Sequence, residues 1–433
     1  MAAKSAPRKT RKARPVAILG GNRIPFAKAD GPYAQASNHD MLIAALDGLI
    51  SRFGMSGQQV DEFIAGAVLK HSRDFNLARE AVIGSSLSSQ TPASDIQRAC
   101  TTSLEAVVNG GNKIALGQAD SIIAGGVDTA SDAPLALNDD FRHVLLKARR
   151  AKGFAGRIRA FGGVRPKQVV PEIPRNAEPR TGLSMGEHAA RTALEWQIER
   201  EAQDELALSS HHNLAAAYDE NFFDNLMTGF LGQTRDQILR PDSTLEKLAK
   251  LRPVFGGETG TMTAGNSSAL SDGAATVLLG SEEWAKEHEA EPLAYLIDSQ
   301  AAAVDFVHGP DGLLMAPVYA VPKLLQRNGL TFDDFDFVEI HEAFASQVLA
   351  TLKAWEDEEF CQSRLGLDGA LGSIDRAKLN VAGSSLATGH PFAATGARIV
   401  ATLAKLLQQR GSGRGLISVC AAGGQGLVAI VER

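Results

Sequence analysis

Short apolar runs alternate with longer amphipathic segments through most of the chain. A run such as Ile64–Val68 has the length of a buried strand, whereas His39–Phe53 repeats its apolar residues at helical spacing. Strands and helices that alternate in this way predict an α/β fold with a largely parallel sheet. The predicted strands are Pro15–Leu19, Ile64–Val68, Ser121–Ala124, Leu293–Ile297, Phe337–Ile340, Leu379–Ala382, Gly415–Val419 and Leu427–Val431; the predicted helices are His39–Phe53, Leu77–Leu87, Cys100–Leu116, Ser184–Arg191, Gln203–Tyr218, Pro317–Asn328, Glu342–Trp355 and Pro391–Gln409.

The two ends of the chain repeat one order of elements. Cys100 precedes a predicted helix and a strand that ends on Gly125-Gly126, and His390 precedes a helix and a strand that lead to Gly423-Gly424. The glycine pairs begin 25 residues after Cys100 and 33 residues after His390. This order predicts a duplicated αβ unit, not an array of short repeats.

The middle of the chain is locally basic. Residues 139–180 contain eleven Lys/Arg and four Asp/Glu, in a protein whose formal net charge is −6. The segment is either a solvated insertion or a site for an anionic group. The near-balanced total charge disfavours a nucleic-acid-binding protein, because such proteins are usually basic.

The cysteine content and the N-terminus indicate the compartment. Three cysteines in 433 residues cannot form a disulfide framework, so we expect a reducing, cytoplasmic environment. The first fourteen residues carry six Lys/Arg but no Leu, Ile, Phe or Trp, which a mitochondrial transit peptide would need for an apolar helix face. Residues 1–14 are therefore predicted to form a disordered basic tail.

Cys100 is a candidate nucleophile. It lies just before Thr102-Ser103-Leu104-Glu105, separated from it by Thr101, and the T-x-x-E pattern of these four residues predicts a capping box at a helix N-terminus. The positive end of that helix would lower the pKa of the thiol. A buried structural cysteine is the alternative, and only a suitably placed base would favour the catalytic interpretation.

His390 is the candidate base. Gly389-His390-Pro391 predicts that His390 caps a long helix whose first residue is Pro391. The helix dipole at that end disfavours imidazolium, so the ring would stay neutral near pH 7. A histidine that serves only as a cap is the alternative.

Two further polar residues follow predicted strands. Cys420 follows Gly415–Val419 and precedes small residues that would let backbone amides approach a substrate oxygen, and His341 follows Phe337–Ile340. Ligands of open α/β sheets bind beyond the carboxyl ends of strands. Cys361 lies in a charged stretch without a partner and is interpreted as structural, and no metal-ligand spacing links the cysteines and histidines.

Several blocks of sequence together resemble the thiolases, the acetyl-CoA C-acyltransferases. Their order and spacing over nearly the whole chain make the resemblance specific. The blocks are Arg23-Ile24-Pro25-Phe26, the Cys100 block with Ala124-Gly125-Gly126, Met185-Gly186, Gly260 to Ser268 with Asp272-Gly273-Ala274, His341-Glu342-Ala343-Phe344-Ala345, and Gly389-His390-Pro391 with Cys420 to Gly426.

The resemblance implies a layered αβαβα fold made of two duplicated halves. Residues 15–135 plus 255–290 would form the N-terminal half, and residues 291–433 the C-terminal half. Residues 136–254 would form an inserted, mostly helical loop domain that binds coenzyme A, which would give the basic segment a purpose.

The resemblance also implies the roles of the site residues. Cys100 would accept the acyl group, His390 would activate it, and Cys420 would protonate or deprotonate the acetyl carbon. One oxyanion hole would use His390 and a water held by His341, and the other the backbone amides of Cys100 and Ala422. Ser268 would contact the pantetheine, while Met185 and Phe344 would line the acyl channel.

The activity implied is that of a 3-ketoacyl-CoA thiolase of fatty-acid β-oxidation, with coenzyme A as co-substrate and no permanently bound cofactor or metal. Many thiolases carry Asn where this chain has His341, and His there, together with the stretch Arg73–Glu80, resembles the β-subunit branch of the trifunctional enzyme. Further departures are Ala421-Ala422 for the commoner Ile-Gly and Gly383-Ser384 for Gly-Gly. The resemblance implies a homodimer or tetramer, and a hydratase/dehydrogenase α-subunit is a further partner.

Three other functions stay open. The first is acetoacetyl-CoA thiolase chemistry in the biosynthetic direction. The second is a ketoacyl synthase, which typically lacks the second cysteine and is therefore disfavoured by Cys420. The third is a thiolase-like acyl-CoA or lipid-binding protein, which a missing nucleophile would favour.

Overall fold

The computed structural model describes residues 13–174 and 177–433, and most of the predicted tail, residues 1–12, lies outside them. One large sheet and its flanking helices make up most of the molecule, as the alternating pattern predicts. The strands are β1 Ala17–Arg23, β2 Ala27–Lys28, β3 Glu62–Ala65, β4 Ala93–Asp95, β5 Ser121–Asp128, β6 Pro253–Phe255, β7 Met262–Thr263, β8 Ser271–Gly280, β9 Ala294–Ala303, β10 Phe337–Ile340, β11 Arg414–Ala421 and β12 Gln425–Glu432. The helices are α1 Asn38–Arg52, α2 Leu77–Gly84, α3 Thr102–Ala115, α4 Asp139–Arg150, α5 Gly153–Ala160, α6 Pro166–Val169, α7 Met185–Glu195, α8 Arg200–Asp219, α9 Leu245–Ala249, α10 Glu282–Glu287, α11 Ala316–Asn328, α12 Ala345–Glu356, α13 Glu358–Phe360, α14 Ser385–Thr388 and α15 Thr395–Arg410.

The sheet consists of two half-sheets with the same pairing pattern. The strand order is β10-β11-β12-β9-β1-β8-β5-β3-β4, and the halves meet at the antiparallel pair β1 and β9. In one half β8 is antiparallel to β1 and β5, and β5 is parallel to β3; in the other, β12 is antiparallel to β9 and β11, and β11 is parallel to β10. This equivalence confirms the predicted duplication. The prediction of a largely parallel sheet is wrong, because β1, β8, β9 and β12 run antiparallel to their neighbours and only β10–β11, β3–β5 and β3–β4 are parallel pairs among the described strands.

Five layers result from the way in which the half-sheets pack. Helices α3 and α15 contribute Leu104, Val107, Ile399 and Leu403 to a core that is shared with strands of both halves. Helices α1 and α2 cover the outer face of one half-sheet, and α11 and α12 cover that of the other. The αβαβα layering places the N-termini of α3 and α15 side by side in the centre of the molecule.

The segment Leu379–Ala382 was predicted as a strand, and this prediction is wrong. Only Leu379 forms a bridge, to Val338 of β10. Asn380 has a φ of +48°, which turns the chain away from the sheet. Its side chain bonds both the amide and the carbonyl of Ile340, at 2.9 Å each, and so replaces backbone pairing.

Helices α12 and α15 begin three and four residues later than predicted, and several strands, of which β8 is the longest, were not predicted. Helix α12 begins at Ala345, and α15 begins at Thr395 after a short 3₁₀ turn, Phe392–Ala394. Pro391 has a ψ of 79° and is not helical, so it is not the first residue of the helix. Strand β8 begins with small and polar residues that carry no strand pattern, yet it is buried along its length between β1 and β5.

Residues 129–270 connect β5 to β8 and contain helices α4 to α9. Arg23 of β1 donates two hydrogen bonds to Asp236, at 2.6 and 2.7 Å, and thereby fixes this region against the sheet. Arg14, at the end of the predicted tail, bonds the carbonyls of Ile114 and Ala119. Within the described residues, no helix combines the length and apolar character needed to cross a bilayer.

Candidate active site

Cys100 lies in the turn that leads from β4 into α3. Ala99, directly before it, has a φ of +42°, a strained conformation for a residue with a Cβ. The amides of Ala422 and of Cys100 itself donate hydrogen bonds to the thiol, but burial outweighs them and raises its pKa to about 11. The prediction of a lowered thiol pKa is therefore wrong, because desolvation of the thiolate exceeds the effect of the helix end.

The helix begins at Thr102, two residues after the predicted start at Cys100, with Thr101 as its cap, and the predicted capping box does not form. Thr102 Oγ1 accepts from the amide of Arg98 at 2.9 Å and donates to the carbonyl of Ala99 at 2.7 Å. Glu105 pairs with the Arg98 guanidinium at 3.1 Å and does not reach back to the helix cap. The same residues therefore fix the strained turn that presents Cys100.

His390 lies in the extended segment before α15. Its amide donates to Ser271 Oγ at 3.2 Å, and its Nδ1 lies 2.6 Å from Thr395 Oγ1. Nε2 is buried and has no partner in the described part of the chain. Burial, together with the positive charge of Arg398, lowers the pKa of the ring to about 3. The predicted neutral base is therefore supported, but burial is the main cause.

Asp128 at the end of β5 holds the turn that follows His390. It is fully buried and accepts hydrogen bonds from the amides of Ala393, Val68 and Leu69, at 2.8, 3.0 and 2.7 Å. One carboxylate thus joins the end of β5 to two other backbone segments around the site, Val68-Leu69 and the turn at Ala393.

His341 follows β10 directly, as predicted, and its ring lies beside that of His390. The ring centroids are 4.1 Å apart. His341 Nδ1 lies 2.9 Å from Ser385 Oγ, and its Nε2 is buried without a partner among residues 13–174 and 177–433. Burial, the neighbouring His390 and the charge of Arg398 hold the pKa of His341 well below its usual value. Two neutral imidazoles therefore share one side of the site.

Glu342, the next residue, takes part only in structural contacts. It accepts from Ser210 Oγ, Asn380 Nδ2 and the amide of Leu386, at 2.7, 2.7 and 3.1 Å. These bonds connect α8 and α14 to the end of β10, so Glu342 fixes the loop that holds His341.

Cys420 lies at the end of β11, opposite Cys100. It is buried, and burial together with the nearby Cys100 raises the pKa of its thiol. Cys361 lies elsewhere, and its Sγ contacts the carbonyls of Ala354 and Trp355 at 3.4 and 3.5 Å. These contacts support the structural interpretation of Cys361.

The predicted residues converge on one small cavity of about 60 Å³. All of them line it except His341, whose ring packs against that of His390. A second cavity of about 680 Å³ adjoins it and is mostly apolar. Both cavities contact Cys100, so the nucleophile lies where they meet. The predicted residues that line the smaller cavity are Cys100, Met185, Ser268, Phe344, His390, Cys420 and Ala422.

Several functional contacts were not predicted. Thr395, Ser385 and Asp128 each bond a site residue or its supporting turn. Thr395 lies five residues after His390 at the start of a helix, which could have marked it as a partner, whereas Ser385 and Asp128 carry no local signal. The described residues contain no group of three or more His, Cys, Asp or Glu that could bind a metal ion.

Comparison with known proteins places these features in a family. Residues 16–283 match the model of the thiolase N-terminal domain, and residues 290–433 match that of the thiolase C-terminal domain. The chain is 39% identical to the 3-ketoacyl-CoA thiolase of Yersinia pestis (strain Pestoides F) over 435 residues, 99% of each protein.

Solved structures of thiolases agree with this family assignment. Human mitochondrial 3-ketoacyl-CoA thiolase in complex with CoA is similar with a TM-score of 0.79 and 30% identity, over 97% of this chain and 98% of that one. The acetyl-CoA acetyltransferase of Bacillus anthracis has the same TM-score and identity, over 98% of this chain and 100% of that one.

Proposed function

The chain belongs to the thiolase family, and from this premise we propose that it cleaves 3-ketoacyl-CoA with CoA to give acetyl-CoA and a shortened acyl-CoA. The protein is an acyltransferase. The observation that carries the proposal is the convergence of two thiols and the neutral imidazole of His390 on one cavity, with the second neutral imidazole, His341, packed against His390. Retro-Claisen chemistry needs a nucleophile, an acid/base for carbon and stabilisers for two developing oxyanions.

In the first half-reaction, Cys100 attacks the C3 carbonyl of the 3-ketoacyl-CoA. His390 Nε2 takes the thiol proton, which the raised pKa of Cys100 keeps on sulfur until attack. The C2–C3 bond then breaks, and its electron pair leaves as the enolate of acetyl-CoA. Cys420, whose raised pKa keeps it protonated, delivers its proton to that carbon. The products are acetyl-CoA and acyl-Cys100.

In the second half-reaction, CoA attacks the thioester of acyl-Cys100. The CoA thiol gives its proton to the Cys420 thiolate, the new C–S bond forms and the bond to Cys100 breaks, and His390 returns the first proton to Cys100. We assign one oxyanion hole to the backbone amides of Cys100 and Ala422, which are directed at the Cys100 sulfur. We assign the other to the adjacent imidazoles of His390 and His341. Removing one such donor typically costs about 10²–10³ in rate.

The larger cavity supports an acyl chain longer than that of acetoacetyl-CoA. It reaches Cys100, and Val68, Leu69, Ile173 and Pro174 are among its apolar lining residues. Apolar walls favour each added methylene by about 0.8 kcal/mol when it is buried. We therefore propose medium or long 3-ketoacyl-CoA as the substrate and fatty-acid degradation as its setting. The smaller cavity, where Ser268 lies, suits the pantetheine thiol end.

The basic helices α4 and α5 are proposed to attract the phosphates of CoA. Arg149, Arg150 and Lys152 are exposed at the junction of the two helices. Replacing all three by Glu should raise the KM for CoA about tenfold, with kcat unchanged, and the effect should weaken at high salt. An unchanged KM would remove these residues from the CoA site.

The test of the function is CoA-dependent loss of 3-ketoacyl-CoA over short, medium and long chains, with Cys100→Ala as the control. We expect cleavage that increases toward medium or long chains and disappears in the variant. Preference for acetoacetyl-CoA would favour the short-chain, biosynthetic alternative. Binding of CoA esters without cleavage at any length would instead favour an acyl-CoA-binding protein.

We propose the oligomeric state and the partner from the trifunctional-enzyme β-subunit branch, which the chain resembles at His341 and in the stretch Arg73–Glu80. That branch implies a homodimer or tetramer associated with a hydratase/dehydrogenase α-subunit. Copurification of an α-subunit with the tagged chain, and the mass of the complex from light scattering, test this. A chain that is monomeric and fully active alone would contradict it.

A further inference from the structure

Two buried side chains behind His341 form a hydrogen-bond chain that ends on its ring. Arg398 Nη2 of α15 donates to Ser385 Oγ at 2.9 Å, and Ser385 Oγ lies 2.9 Å from His341 Nδ1. The three residues are at most 2% exposed. Water therefore does not compete for these bonds, and the direction of each one is set by the side chains themselves.

The direction of the hydrogen bonds follows from what each group can donate. A guanidinium has only donors, so Ser385 Oγ must accept from Arg398. The single Ser385 proton then needs an acceptor, and within the described residues His341 Nδ1 is the only other group bonded to this oxygen. His341 Nδ1 is therefore an acceptor, and the one proton of the neutral ring lies on Nε2.

We propose that Arg398 and Ser385 are positioning residues that fix the tautomer of His341. Its Nε2–H then faces, as a donor, the side of the site where the substrate oxygen becomes negatively charged. This inference rests on the proposed function. His341 Nε2 has no partner in the described chain, and its ring lies 4.1 Å from that of His390. A donor that is set before the substrate arrives needs no rearrangement when negative charge develops, which is how oxyanion holes stabilise transition states.

The opposite tautomer of His341, with its proton on Nδ1, would be unfavourable for two reasons. If His341 Nδ1 donated to Ser385, the buried Ser385 proton would have no acceptor, which costs about 1–3 kcal/mol. The lone pair of Nε2 would then face the substrate oxygen and repel its developing charge. The positive charge of Arg398, close behind, also opposes protonation of the ring to imidazolium, so the neutral Nε2–H form is the one that this environment selects.

The kinetic test compares Ser385→Ala with Ser384→Ala. Ser384 also accepts from Arg398, at 3.2 and 3.3 Å, but is not bonded to His341, so it is a matched control. We expect Ser385→Ala to lower kcat for thiolysis about tenfold to hundredfold, less than the loss of a whole oxyanion donor, with little change in the KM for CoA. Ser384→Ala should stay within about threefold of the wild type, and Ser385→Thr, which keeps the hydroxyl, should recover most of the activity.

A spectroscopic test reads the tautomer directly and does not depend on activity. In protein labelled with ¹⁵N at histidine, the His341 signals are assigned by their loss in His341→Asn, and their shifts tell protonated from unprotonated nitrogen. We expect a protonated Nε2 in the wild type and a mixture of tautomers in Ser385→Ala. A proton on Nδ1 of the wild type, or equal kinetics for Ser385→Ala and Ser384→Ala, would overturn the proposal. Absence of thiolysis in the wild type would refute the proposed function instead.

Discussion

The protonation state of the free enzyme distinguishes two ways of activating Cys100. Burial raises the pKa of its thiol from an ordinary 9.0 to about 11, and lowers the pKa of His390 to about 3. At pH 7 about one molecule in 10⁴ would then carry the thiolate, and forming it costs about 5 kcal/mol. We therefore predict that the resting site holds a neutral thiol and a neutral imidazole, and that His390 removes the proton only during attack.

The ultraviolet absorbance of the thiolate measures this directly. The difference between wild type and Cys100→Ser isolates the Cys100 signal from those of Cys361 and Cys420. We expect no thiolate signal from pH 5 to pH 9 and its appearance only toward pH 11, with circular dichroism confirming that the fold persists. Because the sulfur stays protonated below its raised pKa, His390→Ala should leave this titration nearly unchanged.

A preformed ion pair would give the opposite result. A thiolate that is stabilised by a protonated His390 would absorb already at pH 5 to 7, and His390→Ala would abolish that absorbance. Either observation would refute the argument that burial outweighs both the helix N-terminus and the amides of Cys100 and Ala422. The outcome therefore decides whether desolvation or the local dipoles control the nucleophile.

Three further predictions follow from single contacts. Cys420→Ala should lower kcat for thiolysis about 10²- to 10⁴-fold while an acyl-CoA still transfers its acyl group to Cys100, as seen by intact mass; undiminished thiolysis would exclude Cys420 as the carbon acid/base. Asp128→Asn should lower the free energy of unfolding, measured in urea, by about 1–3 kcal/mol, because the single oxygen of the Asn side chain cannot accept from all the backbone N–H groups that the two carboxylate oxygens bind. An unchanged midpoint of urea unfolding would contradict this. Gly126→Ala would place a Cβ 2.1 Å from the carbonyl oxygen of Ala393, beside His390, and should cost about 10² in kcat, whereas Gly163→Ala, with open space around it, should match the wild type.

The sequence by itself determined the architecture and the main site residues. Alternating strand and helix patterns predicted the α/β fold, and the repeated order around Cys100 and His390 predicted the two equivalent half-sheets. Cys420 and His341 were predicted because each directly follows an apolar run. These features depend on local periodicity and on the positions of strand ends, which are properties that a sequence records directly.

The tertiary structure decided the electrostatics and the supporting contacts. A lowered pKa for Cys100 was a reasonable inference from a helix end, but the cost of burial depends on every element packed around the thiol. The predicted strand at Leu379 is replaced by side-chain bonds from Asn380 to Ile340. Ser385 and Arg398 reach His341 only because α14 and α15 pack behind β10. Such contacts join residues that are distant in the chain, and no local pattern specifies them.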